Sequence, residues 1–279
     1  MHKFFSNNYN LILFFQSKIY FSMKFLKLSL LGLILGFSFT SCTPDTTNDP
    51  APVVKEYAQF GFIHAALDVL GVDVALDGSK KTTTAVTYGN TMPYAETEIV
   101  AGAKTKIGLT IGTTTTVDSF IINSATSSKS KKVGFLTIAY NDSAATRAAK
   151  IYTFSNDLAA PTGTKAKINV VHLVADFAKT ALDVRYVAPG AVASTTSPKI
   201  AENIAFKAVS NFIEVDPGTY DMKFLQGGTL NAFVSLANTG AAGGAGIKLE
   251  SGKIYTVVMR GLYNGSNDRN VKLTVFNHN

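Results

Sequence analysis

The chain has no tryptophan, one cysteine and four histidines among its 279 residues. Each shortage removes a class of explanation. One cysteine cannot form an intramolecular disulfide, so the folded part depends on its core even though a secreted setting would permit disulfides. That cysteine also ends a leader motif, which removes it from thiol catalysis. Without tryptophan the largest sugar-stacking ring is missing, leaving Tyr88, Tyr94 or Tyr263 for that task. His2 lies in the leader and His278 sits next to the C-terminus, where chains fray, so little remains for a Ser-His-Asp constellation. There is no Gly-x-Ser-x-Gly elbow. There is no arginine-rich stretch either; the densest basic cluster, Lys129-Ser130-Lys131-Lys132, fits a hairpin tip.

What is present begins with the leader. Met23-Lys24-Phe25-Leu26-Lys27 supplies a start and two positive charges, residues 28–39 an apolar run, and Thr40-Ser41 two small residues before Cys42. A positive n-region, a short apolar h-region and a small-residue cleavage site make a secretory signal. The four positions Phe39-Thr40-Ser41-Cys42 resemble a bacterial lipobox, with Phe39 in place of the usual leucine. That resemblance implies cleavage before Cys42 and acylation of its thiol, palmitate included, with the lipid bilayer as partner. The apolar run is shorter than the about 20 residues a spanning helix needs. Residues 1–41 are therefore set aside from the fold as a signal peptide whose true start is expected at Met23. Thr43, not Asp, follows the cysteine, which leans towards the outer membrane of the cell envelope.

The formal charge of +7 is inflated by the leader. Lys3, Lys18, Lys24 and Lys27 fall there with no acids; the remaining 22 basic residues stand against 19 acidic ones, a net of +3. That ordinary balance argues against a nucleic-acid partner. Residues 42–56 are polar and proline-rich, and read as a flexible tether.

The rest repeats. Phe60-Gly61-Phe62-Ile63-His64 answers Ile168-Asn169-Val170-Val171-His172, and Val72-Asp73-Val74 answers Leu182-Asp183-Val184. Tyr94 answers Phe212, and Lys150-Ile151-Tyr152-Thr153-Phe154 answers Lys272-Leu273-Thr274-Val275-Phe276. These matches place two copies at 57–158 and 165–279. Lys104-Thr105-Lys106-Ile107-Gly108-Leu109-Thr110-Ile111 alternates polar and apolar side chains, the period of a strand. Leu76-Asp77-Gly78, Asp216-Pro217-Gly218 and Gln226-Gly227-Gly228 punctuate the strands with turns. The expected fold class is all-β: two tandem antiparallel β-sandwich domains of immunoglobulin-like type.

The opening strand with its histidine, followed by Val-Asp-Val or Leu-Asp-Val, resembles an uncharacterised bacterial family, the domain of unknown function 4397. His64-Ala65-Ala66-Leu67-Asp68 is similar to that family's His-Ala-Ser-Pro-Asp pattern without the proline; His172-Leu173-Val174-Ala175-Asp176 is more distant. The resemblance implies an extracytoplasmic all-β module and no particular activity.

Candidate sites are few. His64 and His172 recur at equivalent places, each four residues before an acid, as metal or general-base positions or as histidines that bond a loop and fix a turn. A zinc site needs three or four converging ligands, and no third ligand repeats nearby. Asp73 and Asp183 alternate with apolar neighbours, so they either face solvent or pair with an adjacent strand. Glu96 with Glu98 and Asp216 with Asp221 are the close acid pairs an envelope-polymer hydrolase would use. The glycine run 240–246 lacks the Lys-Ser or Lys-Thr of a phosphate loop and reads as a surface loop. No cofactor and no catalytic residue is expected. The leading expectation is a lipid-anchored, non-catalytic binding or structural module with a protein or glycan ligand; the alternatives are an enzyme on extracellular or envelope polymers, or an architectural stalk.

Overall fold

The computed structural model describes residues 55–100, 104–112, 114–121, 133–141, 149–177, 181–234, 246–266 and 269–279. The leader, Cys42, nearly all of the tether, the Lys129 cluster and most of the glycine run lie outside the described residues. Within them the chain is all-β, with seventeen strands and a 3-10 turn at Ala175–Phe177. The first half contributes β1 (Lys55–His64), β2 (Val72–Leu76), β3 (Ser79–Lys80), β4 (Thr91–Val100), β5 (Lys104–Ile111), β6 (Thr114–Ile121), β7 (Val133–Asn141) and β8 (Ala149–Asp157). The second contributes β9 (Ala166–Val174), β10 (Leu182–Val187), β11 (Lys199–Ile204), β12 (Ile213–Val215), β13 (Gly218–Gln226), β14 (Ala232–Val234), β15 (Ile247–Leu249), β16 (Ile254–Gly261) and β17 (Lys272–Asn277).

Local chemistry sets the strand ends. Asp77 (φ 47°) and Gly78 (φ 80°) form the two-residue loop between β2 and β3. Positive φ at both central positions is the tight hairpin geometry that Asp-Gly favours. Asp216-Pro217 separates β12 from β13, where proline cannot continue the ladder.

The four sheets follow one plan twice. The first half folds into β4-β1-β7-β8 and β3-β2-β5-β6; the second folds into β12-β9-β16-β17 and β11-β10-β13-β14, with β15 added on β13. The expectation of purely antiparallel pairing needs correction at two places. β1 pairs with β7 in parallel, and β9 pairs with β16 in parallel, in the centre of their sheets. Parallel neighbours need a long crossover, and here the strands of the companion sheet supply it.

Burial explains why the central strands tolerate this. Every residue of β16 is buried, and nearly every residue of β9. Strands covered on both faces lose the polar–apolar alternation. One face of β1 and β7 turns Phe60, Phe62 and Ala139 towards Val72, Val74, Ile107 and Leu109 of the companion sheet. One face of β9 and β16 turns Ile168, Val170 and Val257 towards Leu182, Val184 and Phe224. Their other faces meet each other: Ile63, Leu136, Ile138 and Tyr140 pack with Val171, Leu173, Val258 and Phe276 in a third cluster drawn from both halves. Each such side chain, fully buried, contributes about 1.5–3 kcal/mol of burial free energy. All of these strands belong to one compact unit, residues 50–279.

Candidate functional site

His64 ends β1 on the face turned to the first-half core. Its Nε2 donates to the Leu70 carbonyl at 3.0 Å, and its Nδ1 accepts from the Ala66 N–H at 3.3 Å. Both ring nitrogens are thus committed to the segment that follows the strand. Burial holds its pKa below the ordinary value, opposed by the Leu70 and Val69 carbonyls and aided by the Arg260 charge. The ring edge meets Tyr88 at 6.1 Å, and the Arg260 guanidinium from the second half lies 4.2 Å from the Tyr88 centroid. Arg260 Nε donates to Thr274 Oγ1 at 2.6 Å, and the Thr274 hydroxyl donates to the Gly89 carbonyl at 3.2 Å. Gly89 (φ 85°) takes the left-handed backbone that favours glycine, and a Cβ there would also press on the guanidinium.

His172 occupies the matching place on β9. Its Nδ1 accepts from the Val174 N–H at 3.3 Å, and its ring edge meets Phe206 at 6.0 Å. The Lys207 ammonium lies 5.5 Å from the Phe206 and Tyr140 rings, so a cation–aromatic stack recurs beside each histidine. The acids four residues on are spent differently. Asp68 pairs with Arg269 of the second half at 3.1 Å, whereas Asp176 accepts the Tyr263 and Asn264 N–H groups at 2.7 and 2.9 Å.

Asp73 accepts from Lys80 and the Thr82 hydroxyl, each at 2.9 Å, and these bonds hold its carboxyl below the usual range. Asp183 is buried, not solvent-facing, and accepts the Asn203 and Gly228 N–H groups at 2.8 and 3.0 Å, fastening β10 to the adjacent strand β11 and to the turn after β13. Of the acid pairs, Asp216 bonds Lys165, while Asp221 accepts from the Gly190 N–H and from Lys223. Glu96 and Glu98 are exposed on β4. Among the described residues no group of three or more His, Cys, Asp or Glu converges as a metal site.

A polar constellation absent from the sequence reading lies where the halves meet. The Thr256 hydroxyl donates to Asn169 Oδ1 at 2.6 Å, so at 2.7 Å it must accept from His278 Nε2–H. His278 Nδ1 is then an acceptor, and the Tyr94 hydroxyl donates to it at 2.9 Å. Asn156 Nδ2 reaches the Tyr94 oxygen at 3.5 Å, and Asn169 Nδ2 donates to Asn156 Oδ1 at 3.3 Å. The five side chains close a ring in which each hydrogen bond points the same way round. It contains two residues of the first half and three of the second. His278 is 5% exposed, which corrects the expectation of a fraying terminal residue. Burial drives its pKa down to about 3 and raises the Tyr94 phenol. A neutral imidazole with its hydrogen on Nε2 is the form the ring requires.

Beside the ring a cleft of about 290 Å³ opens between β8 and the segment 209–212. Tyr152, Phe154 and Asn156 of β8 form one wall, Asn211 and Phe212 the other, and Asn169 the floor. At the opposite edges of the same two sheets, β17 lies against β4, and Phe276 packs edge-on against Tyr94 at 5.2 Å. Gly61 makes that closure fit, since a Cβ there would meet Phe276 at 2.7 Å and Tyr94 at 2.9 Å. The matching residue on the open side is Asn169, whose amide bonds Asn156 and Thr256. A second cleft, of about 430 Å³, is lined by Lys81, Thr83, Thr84, Asn90, Met92 and Pro93 and has no aromatic wall.

The tyrosines held for sugar stacking are mostly used elsewhere: Tyr88 under Arg260, Tyr94 in the ring, and Tyr263 paired with Phe177 at 5.1 Å. Tyr152, Phe154 and Phe212 were the rings missed. The available signal was the place where the two copies differ, Gly61 against Asn169. No protein-family model matches the chain, and no curated protein matches it. No helix among the described residues is long and apolar enough to cross a membrane.

Proposed function

We propose that the protein is a lipid-anchored component of the cell envelope whose β-structured body is a non-catalytic binding or structural module. The observation that carries the reading is the apolar run 28–39 followed by Thr40-Ser41 and the chain's only cysteine, Cys42. In this reading Cys42 is the first mature residue and bears the acyl chains, and residues 43–56 lift the body from an outer-membrane surface. Each buried acyl CH₂ contributes about 0.8 kcal/mol, and one chain alone binds only reversibly, so stable attachment uses more than one.

The body is read as two immunoglobulin-like β-sandwiches, 57–158 and 165–279, akin to the domain of unknown function 4397. The recurring strand plan supports this. The non-catalytic part is supported by the engagement of the polar candidates: His64, Asp73 and Asp183 each bond strands or turns of the fold itself. The ligand class in this reading is a protein or a glycan.

Cell fractionation of the wild type against Cys42→Ala tests the anchor. The wild type is expected in the membrane pellet, released only by detergent, and the variant in the soluble fraction or as uncleaved precursor. Equal partitioning of both to the soluble fraction would refute the reading.

A further inference from the structure

We infer that the cleft between β8 and residues 209–212 is a binding site for a neutral saccharide segment, a step that rests on the non-catalytic binding reading. Its cause is a broken symmetry. On the closed side Phe276 and Tyr94 lie over Gly61. On the open side the matching rings, Phe154 and Phe212, flank Asn169 and leave about 290 Å³ between them. That volume is near the low end of small-molecule pockets, about 300–1,000 Å³, and suits one or two sugar rings.

The lining selects the chemistry. Asn156 and Asn169, 3% and 2% exposed, present amides at the base of the cleft. Each has two N–H donors, and their mutual bond and the Tyr94 contact use one apiece. Asn211 adds an exposed amide at the rim, with Ser155 beside the opposite wall. An amide both donates and accepts, which matches a hydroxyl that does the same. Tyr152 and Phe154, tilted 5.4 Å apart, with Phe212 opposite, offer apolar faces to the C–H face of a sugar.

Other ligands fit less well. Asp157 lines the cleft and disfavours an anion, and the nearby Lys167 is already 3.6 Å from Asp157 and 6.0 Å from the Phe212 centroid. A peptide strand added along the β8 edge would use backbone bonds and have little need of the amide floor or of Asn211 across the cleft.

The test is calorimetric titration of the full chain in detergent with cellohexaose, maltohexaose, xylohexaose and chitohexaose, each also incubated alone with the protein and checked for cleavage. At least one is expected to bind and remain intact. Phe212→Ala and Asn211→Ala are expected to weaken it about tenfold or more, the scale of one lost well-placed contact. Tyr263→Ala, outside the cleft, should leave the affinity unchanged. Asn211 is exposed, so its variant reports on binding even if Phe212→Ala destabilises the fold. Failure of all four sugars to bind would overturn the inference. Binding insensitive to both cleft variants would overturn the cleft while leaving a binding function standing. Cleavage of a bound sugar, abolished by the cleft variants, would uphold the cleft and overturn the non-catalytic reading.

Discussion

His278 shows how a single residue ties pH to stability. Its folded pKa, about 3, lies well below the ordinary value of 6.5 because burial disfavours the imidazolium. The sign follows from proton counting. As pH falls below 6.5 the unfolded chain takes up a proton that the folded chain refuses. The stabilisation is therefore complete above pH 6.5 and is lost as pH falls towards 3, at about 1.4 kcal/mol per pH unit for one proton. Protonated Nδ1 would also point a hydrogen at the hydroxyl that now donates to it. Urea midpoints between pH 7 and pH 5 are expected to fall for the wild type. His278→Asn should be less stable at pH 7 and lose less on acidification; part of the slope should remain, because the pKa of His64 is lowered in the same direction. Gly61 makes a second residue-scale case. Gly61→Ala drives a methyl into Phe276 and Tyr94 and is expected to destabilise by roughly 1–3 kcal/mol, read from the same denaturation curves.

At the scale of elements, the central strands should be the slowest to open. β9 and β16 are covered on both faces, whereas β3 is a two-residue exposed edge. Amide exchange is expected to be slowest in β1, β7, β9 and β16 and fast in β3; equal protection across the sheets would contradict this burial pattern. The same burial decided what could be read in advance. β5 alternates and Asp77-Gly78 marks the β2–β3 turn, so these elements and the all-β class were legible from local pattern. The parallel β1–β7 and β9–β16 pairs were not, because Ile254-Tyr255-Thr256-Val257-Val258-Met259 carries no face preference to assign. The ring was hidden for another reason: Tyr94, Asn156, Asn169, Thr256 and His278 are far apart in the chain and meet only once the sheets stack. Of the candidate site, His64 and Asp183 were found by repetition, Phe154 was visible only as the counterpart of Phe276, and Asn169 only as a difference between the copies.

For the whole molecule, the third hydrophobic cluster and the polar ring join the halves into one unit. Calorimetry should therefore show one cooperative transition, displaced as a whole by Gly61→Ala; two resolved transitions, with only one displaced, would show that the halves unfold independently. A single body suits the proposed module, which would present one surface to the envelope. The anchoring claim is tested most directly by the mass of the N-terminal peptide of the protein extracted from membranes with detergent. The account predicts a peptide that begins at Cys42 and is heavier than its sequence by the attached acyl groups. An unmodified thiol at Cys42, or a peptide still carrying residues 23–41, would contradict it.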